Sequence, residues 1–251
     1  ADKHFDWTNT KYAIFRTTWD YFEKFELFFS WIEKTKSKTT FINSAEVIHW
    51  NIDKHYLKDL ERNRINIANT LFIEKKQQIT LSELFKKTRF CEAVIKPAIS
   101  GAARHTYRIN PNNCSDYEKV FQELIQKECI LFQEFMNNIT LKGEISLIMI
   151  GGKYTHAVKK IAKKGDFRVQ DDHGGIVKEH LATSEEIIFA ENCLKASPFK
   201  PIYARVDIVY DNQNKLSLSE LELIEPELWF RNNTNSAVLL AEEIFSLISS
   251  K

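Results

Sequence analysis

The sequence is poor in glycine. Only 7 of the 251 residues are Gly, and all of them lie between positions 101 and 175. Because glycine is needed where φ is positive or where backbone must approach a ligand closely, this segment is predicted to hold hairpin turns, a ligand-binding loop, or both. Neither GxxxxGK[ST] nor GxGxxG occurs, which excludes the P-loop and the dinucleotide-binding motif.

The sequence also lacks an excess of charge of either sign, because 35 Lys and Arg oppose 34 Asp and Glu. This balance argues against a nucleic-acid partner bound through bulk charge. No apolar run approaches the ~18 residues that span a bilayer, and the N-terminus has no signal-peptide pattern, so neither a membrane partner nor secretion is expected. The cysteines form no CxxC pair, which predicts reduced thiols in a cytoplasmic protein and argues against a zinc site; they are Cys91, Cys114, Cys129 and Cys193.

A hydrophobic content of 43% over 251 residues is enough for one large domain or two small ones that share an interface. Periodicity and capping residues predict a mixed α/β (α+β) chain. Residues 1–50 are predicted to form an α/β unit, with strands at 12–16 and 39–43 and a helix at 21–33 that Asp20 caps. This unit begins abruptly and without Met, which predicts that an N-terminal piece is missing.

From position 51 the pattern changes to an amphipathic helix at 51–61, followed by alternating elements. The further predicted strands are 67–73, 93–97, 105–109 and 130–133, and the further predicted helices are 81–87, 115–127, 183–197 and 235–248. Thr80 with Glu83 is typical of a capping box. Two hairpins are predicted in the second half, one of 143–150 with 153–159 and one of 202–210 with 215–224.

The last hairpin carries a concentration of charge. Side chains alternate along a strand, so Arg205 and Asp207 share a face, as do Glu220 and Glu222. If the connecting loop has an even number of residues, Arg205 lies opposite Glu220 and all four side chains meet. Clustered carboxylates repel each other unless a cation lies between them, and their hard oxygens suit Mg²⁺ or Mn²⁺. The alternative is a solvated strand face with one Arg–Glu pair.

Lys96 lies inside an otherwise apolar strand, where a lysine is unusual unless its ammonium has a target. The small-residue segment Ser100–Ala103 follows, with Arg104 and Arg108 close by. Small residues allow backbone N–H groups to approach phosphate oxygens, so the segment is a candidate phosphate loop. The alternative is that Lys96 extends to solvent from an edge strand.

A third polar segment, 165–175, combines Arg168 and His173 with Gly174-Gly175. A guanidinium and backbone N–H groups together can hold an anion. The alternative is a polar hairpin loop.

Taken in order from about Asp53 to Pro226, these motifs resemble the ATP-grasp family, most closely its glutathione-synthetase-like branch. The resemblance implies that Lys54 and Lys96 bind phosphates, that Glu144 binds the ribose hydroxyls, and that Arg168 and Lys96 are catalytic. The segment Gln133-Glu-Phe-Met136 resembles the hinge that holds adenine. The implied ATP-binding residues are Lys54, Lys96, Ser100, Gly101, Ala102, Gln133, Glu134, Phe135, Met136, Glu144 and Lys159.

The same resemblance assigns metal and acceptor sites. Asp207, Glu220 and Glu222 correspond to the family's Asp and Glu-x-Asn metal ligands, with Glu222 in place of Asn. Arg168 with Gly174-Gly175 resembles Arg-x-Asn-x-x-x-Gly-Gly, with Gln170 in place of Asn. The implied substrate-binding residues are Arg16, Trp19, Asp20, Arg205, His173, Gly174 and Gly175; for Trp19 and Asp20 the alternatives are core packing and a helix cap.

The resemblance implies an ATP-grasp fold, with two α+β subdomains at 51–130 and 131–251 that clasp ATP, preceded by a partial N-terminal α/β domain at 1–50. Segments 18–21, 155–159 and 220–226 look most like the O-ureido-serine cyclo-ligase subgroup. The implied function is an ATP- and Mg²⁺-dependent carboxylate–amine ligase that activates a small amino-acid-like substrate as an acyl phosphate. An ATP-grasp kinase and a non-catalytic ATP-binding module are the alternatives, and a homo-oligomer is allowed by analogy.

Overall fold

The computed structural model describes residues 5–169 and 174–249, which form three β-sheets and the helices that cover them. The first unit has a parallel two-stranded sheet of β1 and β2, packed against a short 3₁₀ helix at Tyr21–Lys24 and helix α1. The bounds of these elements are Tyr12–Ile14 for β1, Phe25–Thr35 for α1 and Thr40–Ile42 for β2. Phe15, Ile32 and Phe41 fill the core of this unit.

The second unit is a four-stranded antiparallel sheet in the order β3-β6-β4-β5. Its strands are β3 (Thr70–Ile73), β4 (Ala93–Pro97), β5 (Tyr107–Ile109) and β6 (Ile130–Glu134). The helices of this part of the chain are α2 (Ala45–Asn51), α3 (Tyr56–Arg62), α4 (Leu81–Thr88) and α5 (Cys114–Ile125). Helices α4 and α5 bury Leu84 and Phe121 in the same core as Ile95 and Phe132 of the sheet.

The third unit is a five-stranded antiparallel sheet in the order β11-β10-β7-β8-β9. Its strands are β7 (Glu144–Ile150), β8 (Lys153–Ile161), β9 (Ile176–His180), β10 (Tyr203–Tyr210) and β11 (Leu216–Glu222). The helices are α6 (Asn138–Lys142), α7 (Ser184–Ala196) and α8 (Thr234–Ser249). Within the described ranges, no helix combines the length and the apolar character needed to cross a membrane.

Alternation along β10 gives this sheet one apolar face and one face that carries both charged and apolar side chains. Val206 and Ile208 are fully buried in a core shared with Leu57 of α3 and Ala190 of α7. Arg205 and Asp207 alternate with these residues, so their side chains point to the other face, away from that core. The fold therefore sets charged side chains on an interior strand of the sheet.

Two buried asparagines join the first part of the chain to the edge of the sheet at β11, where no further strand of the described chain follows. The Asn43 amide donates to the backbone oxygens of Tyr203 (2.9 Å) and Leu223 (2.8 Å). The Asn51 amide donates to Leu221 O at 2.8 Å and its Oδ1 accepts from Leu223 N at 2.9 Å. These side chains replace a missing neighbouring strand, because buried backbone polar groups must be paired.

The predicted helix at 51–61 is wrong in its first turn. Helix α2, which was not predicted, ends at Asn51, and α3 begins only at Tyr56. Between them the Asp53 Oδ1 accepts from His55 N at 2.9 Å, an Asx turn that competes with helical hydrogen bonding. The predicted Asp20 cap is also wrong, since its carboxylate makes no cap hydrogen bond and accepts from Lys24 Nζ at 2.9 Å.

The predicted pairing of Arg205 with Glu220 is wrong by two residues. Arg205 pairs with Glu222, and Asp207 pairs with Glu220. The loop has five residues where four were assumed, and a bulge at Ser219 adds one more. Each change reverses the faces of β11, so the two together restore them, and all four charged residues still share one face.

Thr80 closes a capping box with Glu83 at the start of α4. We expect Thr80→Ala to lower the free energy of unfolding by about 1 kcal/mol, because an orphan backbone N–H loses its acceptor. Urea denaturation measures this change. The control is Ser82→Ala on the exposed side of the same helix, which is expected to be neutral or slightly stabilising. Equal effects of the two substitutions would contradict the capping role.

Candidate active site

A cavity of about 520 Å³ lies between the four-stranded and the five-stranded sheet. This volume is within the ~300–1,000 Å³ typical of small-molecule sites. Most of the residues predicted from the sequence meet here. Those that line the cavity are Trp19, Lys54, Lys96, Ser100, Gly101, Ala102, Gln133, Glu134, Phe135, Met136, Glu144, Arg168, Arg205, Asp207, Glu220 and Glu222.

Five of the predicted residues are not part of the cavity wall: Arg16, Asp20, Lys159, Gly174 and Gly175. Arg16 instead donates through Nη1 to the Pro226 carbonyl at 3.3 Å, and Asp20 is paired with Lys24 at the surface. Gly174 is exposed with a φ of +77°. His173 and Gln170 lie outside the described residues.

The prediction of Lys159 is corrected to its neighbour Lys160. A regular hairpin that closes on the Ile150–Lys153 pair would set Lys159 opposite Glu144, but a bulge at Thr155 shifts the register by one residue. Glu144 therefore faces Lys160, which is buried and lines the cavity. Lys159 points to the opposite face of β8, because a slip of one residue reverses every side chain that follows.

Two lysines form the cationic wall. The Lys54 ammonium donates to Ser100 O at 2.8 Å and contacts Glu220 Oε1 at 3.0 Å. Lys96 lies on β4, between β6 and β5, so the edge-strand alternative does not hold. In the part of the chain that the structure describes, Lys96 has no ion-pair partner within 4.0 Å, and burial lowers the pKa of its ammonium. A partly buried cation without an ion-pair partner is suited to an anionic ligand.

The segment Ser100–Ala103 forms one edge of the cavity. Ala102 and Ala103 have φ values of 48° and 55°, a left-handed conformation that L-residues rarely adopt. At Gly101 a Cβ atom would lie 2.6 Å from the ring of Phe22, so no side chain fits between the loop and that ring. The unusual backbone expected of the glycine-containing segment is found here, and strained loops of this type often contact ligands.

Asp207 stands at the centre of the carboxylate wall. Arg205 Nη2 donates to its Oδ2 at 2.8 Å, Lys160 Nζ contacts the same oxygen at 3.1 Å, and Ser146 Oγ donates to Oδ1 at 2.6 Å. Burial opposes ionisation, but the Arg205 guanidinium and the Lys160 ammonium hold the pKa of Asp207 well below its usual range. Asp207 is therefore a fixed negative charge.

The neighbouring glutamates differ in their protonation. Burial opposes ionisation of Glu220, but Lys54 and Lys96 outweigh it and lower its pKa. Glu222 contacts Arg205, yet burial raises its pKa to about 7, and the nearby Glu220 charge acts in the same direction. The wall thus combines two ionised carboxylates with one that titrates near neutrality.

The chemistry of this donor set fits Mg²⁺, because three carboxylates share one sheet face. Their oxygens are not gathered within 4.8 Å of one another, since each carboxylate is held by a cation of the protein. Lys54 and Arg205 must release Glu220 and Glu222 before these two can bind a metal ion together.

The opposite end of the cavity is apolar and is bounded by the β6 hinge. Glu134 accepts from the Asn69 amide at 2.6 Å and the Asn212 amide at 3.1 Å, which fixes its carboxylate. The Phe135 ring lies 3.8 Å below the Arg108 guanidinium carbon. Val94, Met136, Ile139 and Val169 complete an apolar wall that suits a flat aromatic ligand.

Trp19 and Glu225 lie at the mouth of the cavity. The Trp19 side chain is half-exposed, and its Nε1 donates to Glu225 O at 3.0 Å, so Trp19 is not a core residue. Burial raises the pKa of Glu225 to about 8, and the negative charge of Glu222 adds to the shift. This end therefore presents an aromatic ring beside a carboxyl group that can take up or release a proton near neutral pH.

Sequence reasoning missed several residues of the site. Ser146 and Ser219 hold carboxylates, as Ser219 Oγ donates to Glu144 Oε2 at 2.9 Å. The Trp229 ring lies 5.3 Å from the Arg205 guanidinium carbon and covers it. The positions of Lys160 and Ser219 in the cavity depend on β-bulges, and a β-bulge leaves no clear signal in the sequence. Glu225, in contrast, could have been found from the sequence, because it lies next to the Glu220–Glu222 motif.

Two family models match the chain. The model described as the ATP-grasp domain of prokaryotic glutathione synthetase matches residues 58–212. The model of the N-terminal domain of the D-cycloserine synthetase DcsG matches residues 1–43.

Individual proteins agree with these matches. The cycloserine biosynthesis protein DcsG of Streptomyces lavendulae is 22% identical, over 95% of this chain and 84% of that protein. The crystal structure of D-cycloserine synthetase DcsG superposes with a TM-score of 0.85 at 22% identity, over 97% of this chain and 86% of the other. D-alanine–D-alanine ligase from Bacillus anthracis superposes with a TM-score of 0.59 at 18% identity, over 78% and 66% of the two chains. The fold predicted from the sequence is confirmed.

Removing Arg205 tests the buried network. We expect Arg205→Met to lower the free energy of unfolding by about 3 kcal/mol, because Asp207 loses its closest cation in a buried setting. The matched control is Arg62→Met, whose guanidinium pairs with Asp59 at the surface and is 75% exposed; it is expected to change stability by about 0.5 kcal/mol or less. Urea denaturation compares the two variants. A loss at Arg205 no greater than that at Arg62 would contradict the network.

Proposed function

Because the chain belongs to the ATP-grasp family, with the ATP-grasp domain of prokaryotic glutathione synthetase matched over residues 58–212, we propose that it is an ATP-dependent ligase that activates the carboxylate of a small amino-acid-like substrate as an acyl phosphate. One observation carries this function. The cavity has Lys54 and Lys96 on one wall, of which Lys96 has no ion-pair partner among the described residues, and the carboxylates of Asp207, Glu220 and Glu222 on the other. Triphosphate and metal ion together are complementary to this pair of walls.

ATP is the phosphoryl donor in this scheme. Lys54 and Lys96 neutralise phosphate oxygens, and the loop Ser100–Ala103 covers them with backbone N–H groups. Gln133 to Met136 hold adenine at the apolar end, where Phe135 and Met136 bound a slot of suitable polarity. Glu144 is proposed to accept from the ribose hydroxyls, and Lys160 and Ser219 hold its carboxylate in position.

Asp207, Glu220 and Glu222 are the residues that would hold Mg²⁺, or Mn²⁺, and a bound ion would neutralise charge on the β- and γ-phosphates. Transfer of the γ-phosphoryl group to a carboxylate oxygen breaks the bond to ADP and forms the acyl phosphate. An amine then attacks the carbonyl carbon, the C–N bond forms, phosphate leaves and the amine loses a proton. Arg168 lines the cavity, where its Nη2 donates to Asp166 Oδ2 at 2.8 Å, and it is proposed to stabilise the oxyanion of this second step.

The acceptor is proposed to bind at the mouth, next to Trp19 and Glu225. A second, narrower candidate is ring closure within one molecule, in which the activated carboxylate and the nucleophile belong to the same substrate. The match of residues 1–43 to the N-terminal domain of D-cycloserine synthetase and the TM-score of 0.85 favour it. O-ureidoserine is therefore included among the substrates to be tested.

Three further predictions belong to the same proposal. The chain divides into an N-terminal α/β domain at 1–50 and two ATP-grasp subdomains at 51–130 and 131–251. The protein acts in the cytoplasm on small molecules. Assembly into a homo-oligomer follows by analogy with the family.

The proposal is tested by ADP release with Mg·ATP against amino acids, dipeptides and both enantiomers of O-ureidoserine. We expect one substrate to stimulate ADP release, with an amide or ring as product. When its carboxylate carries ¹⁸O, one ¹⁸O atom is expected in the released phosphate, since the acyl phosphate C–O bond breaks in the second step. A stable phosphate ester without ¹⁸O transfer would show a kinase, and Mg·ATP binding without turnover across the panel would favour a binding module.

Lys96→Met separates function from stability. We expect ADP release to fall by about 10²-fold or more, because a positioned charge is lost from the phosphate site. The free energy of unfolding is expected to stay equal or rise, since a partly buried ammonium without an ion-pair partner is removed. The control is Lys195→Met, at a side chain of α7 that is 70% exposed. This substitution should leave both ADP release and the free energy of unfolding unchanged. Full turnover in Lys96→Met would remove this residue from the site.

A further inference from the structure

A second group of potential metal ligands lies outside the cavity. His55 Nε2, the Glu74 carboxylate and Cys129 Sγ all lie within 4.8 Å of one another. Over residues 5–169 and 174–249, this is the one group of three or more His, Cys, Asp or Glu side chains that meets this distance. None of the three lines the ATP cavity.

The three side chains come from separate segments that the fold brings together. Ile73 and Ile130 are partners at the end of the antiparallel β3–β6 pair, so Glu74 and Cys129 extend from the same end of two adjacent strands. His55 comes from the turn between α2 and α3. A metal site with one cysteine, one histidine and one glutamate from separate segments has no characteristic sequence spacing. The argument against zinc from the missing CxxC pair therefore does not apply to this group.

The distances match those around one small cation. His55 Nε2 lies 3.3 Å from Glu74 Oε1 and 3.8 Å from Cys129 Sγ. Tetrahedral Zn²⁺, with Zn–N of about 2.0–2.1 Å and Zn–S of about 2.3 Å, separates neighbouring ligand atoms by about 3.3–3.6 Å. All three side chains are at least partly exposed, so an ion can enter from solvent.

The imidazole is already oriented for such an ion. His55 Nδ1 donates a hydrogen bond to Asp53 Oδ1 at 2.6 Å, which leaves Nε2 directed at Glu74 and Cys129. The ring is also held against Phe72, with the ring centroids 4.5 Å apart. A carboxylate on the distal nitrogen is the usual arrangement at histidine ligands of zinc, where it fixes the tautomer and raises ligand basicity.

We propose that His55 Nε2, Cys129 Sγ and the Glu74 carboxylate form a Zn²⁺ site, with the fourth position open to water. A nitrogen, a sulfur and an oxygen ligand together suit zinc and disfavour Mg²⁺ or Ca²⁺, which prefer oxygen alone. None of the three ligands lines the cavity, and His55 directly follows the cavity residue Lys54 in the chain.

Two features of the surroundings bear on this site. Lys58 Nζ lies 3.9 Å from Glu74 Oε1 and 4.2 Å from the Phe72 ring centroid, so it is the cation that a metal ion would replace beside Glu74. Burial, followed by the Glu74 and Asp53 charges, raises the pKa of Cys129 to about 12.

Titration of the metal-free protein with Co²⁺ tests the proposal, because a thiolate ligand produces a near-ultraviolet charge-transfer band that oxygen ligands do not. We expect one Co²⁺ per chain with this band, displaced by one equivalent of Zn²⁺. Cys129→Ser is expected to abolish the band. Asp53→Asn should weaken binding about 10–100-fold, the usual effect of removing the partner of a histidine ligand.

The matched control is Cys91→Ser, which removes an exposed cysteine outside the group and should keep the band and the affinity. Absence of the band in the wild-type protein, or its persistence in Cys129→Ser, would overturn the site. If Glu220→Gln abolishes Zn²⁺ binding and Cys129→Ser does not, the ion binds in the cavity, and this result would also overturn the proposed site. If circular dichroism shows that Cys129→Ser is unfolded, His55→Gln takes its place, with loss of the band expected.

Discussion

The cavity depends on the contact of Asp207 with Arg205 and Lys160. A buried carboxylate is costly unless it is paired, and Asp207 has two cations and the Ser146 hydroxyl around it. This pairing keeps a negative charge on the interior strand β10 at neutral pH, because the pKa of Asp207 is held low. It also orders Arg205, whose guanidinium reaches Glu222 and lies beside the Trp229 ring. One ion pair thus sets the positions of its neighbours on two strands.

Across the cavity the balance of charge is different. Lys54 is shared between Glu220 and a backbone oxygen, and the partly buried Lys96 has no carboxylate within ion-pair distance in the described chain. The protein therefore buries cationic charge that opposes folding, and a bound polyanion would relieve this cost. Natural proteins accept such unfavourable burial mainly at binding sites. The same lysine that weakens the fold is the one that the proposed phosphoryl transfer needs.

Much of the fold was predictable, because helix caps and strand alternation are local. The capping boxes at Thr80 and Thr183 mark α4 and α7 at the predicted positions. The shared face of Arg205 and Asp207 follows from the period of a strand alone. The β-bulges at Thr155 and Ser219 are not local in this sense, and the first of them moves Lys160, rather than Lys159, into the cavity. The grouping of His55, Glu74 and Cys129 depends on which strands pair, and no spacing in the sequence indicates it.

The most direct test of the account is calorimetric titration of ATP into the protein with and without Mg²⁺, using the wild type and a Glu220→Gln/Glu222→Gln double variant. The wild type and the double variant are compared after circular dichroism has verified that both are folded. The account predicts that the wild type binds one ATP per chain, that Mg²⁺ strengthens this binding, and that the double variant loses the Mg²⁺ effect. Absence of ATP binding, or a Mg²⁺ effect that the double variant retains, would contradict the assignment of the cavity as an ATP-grasp site.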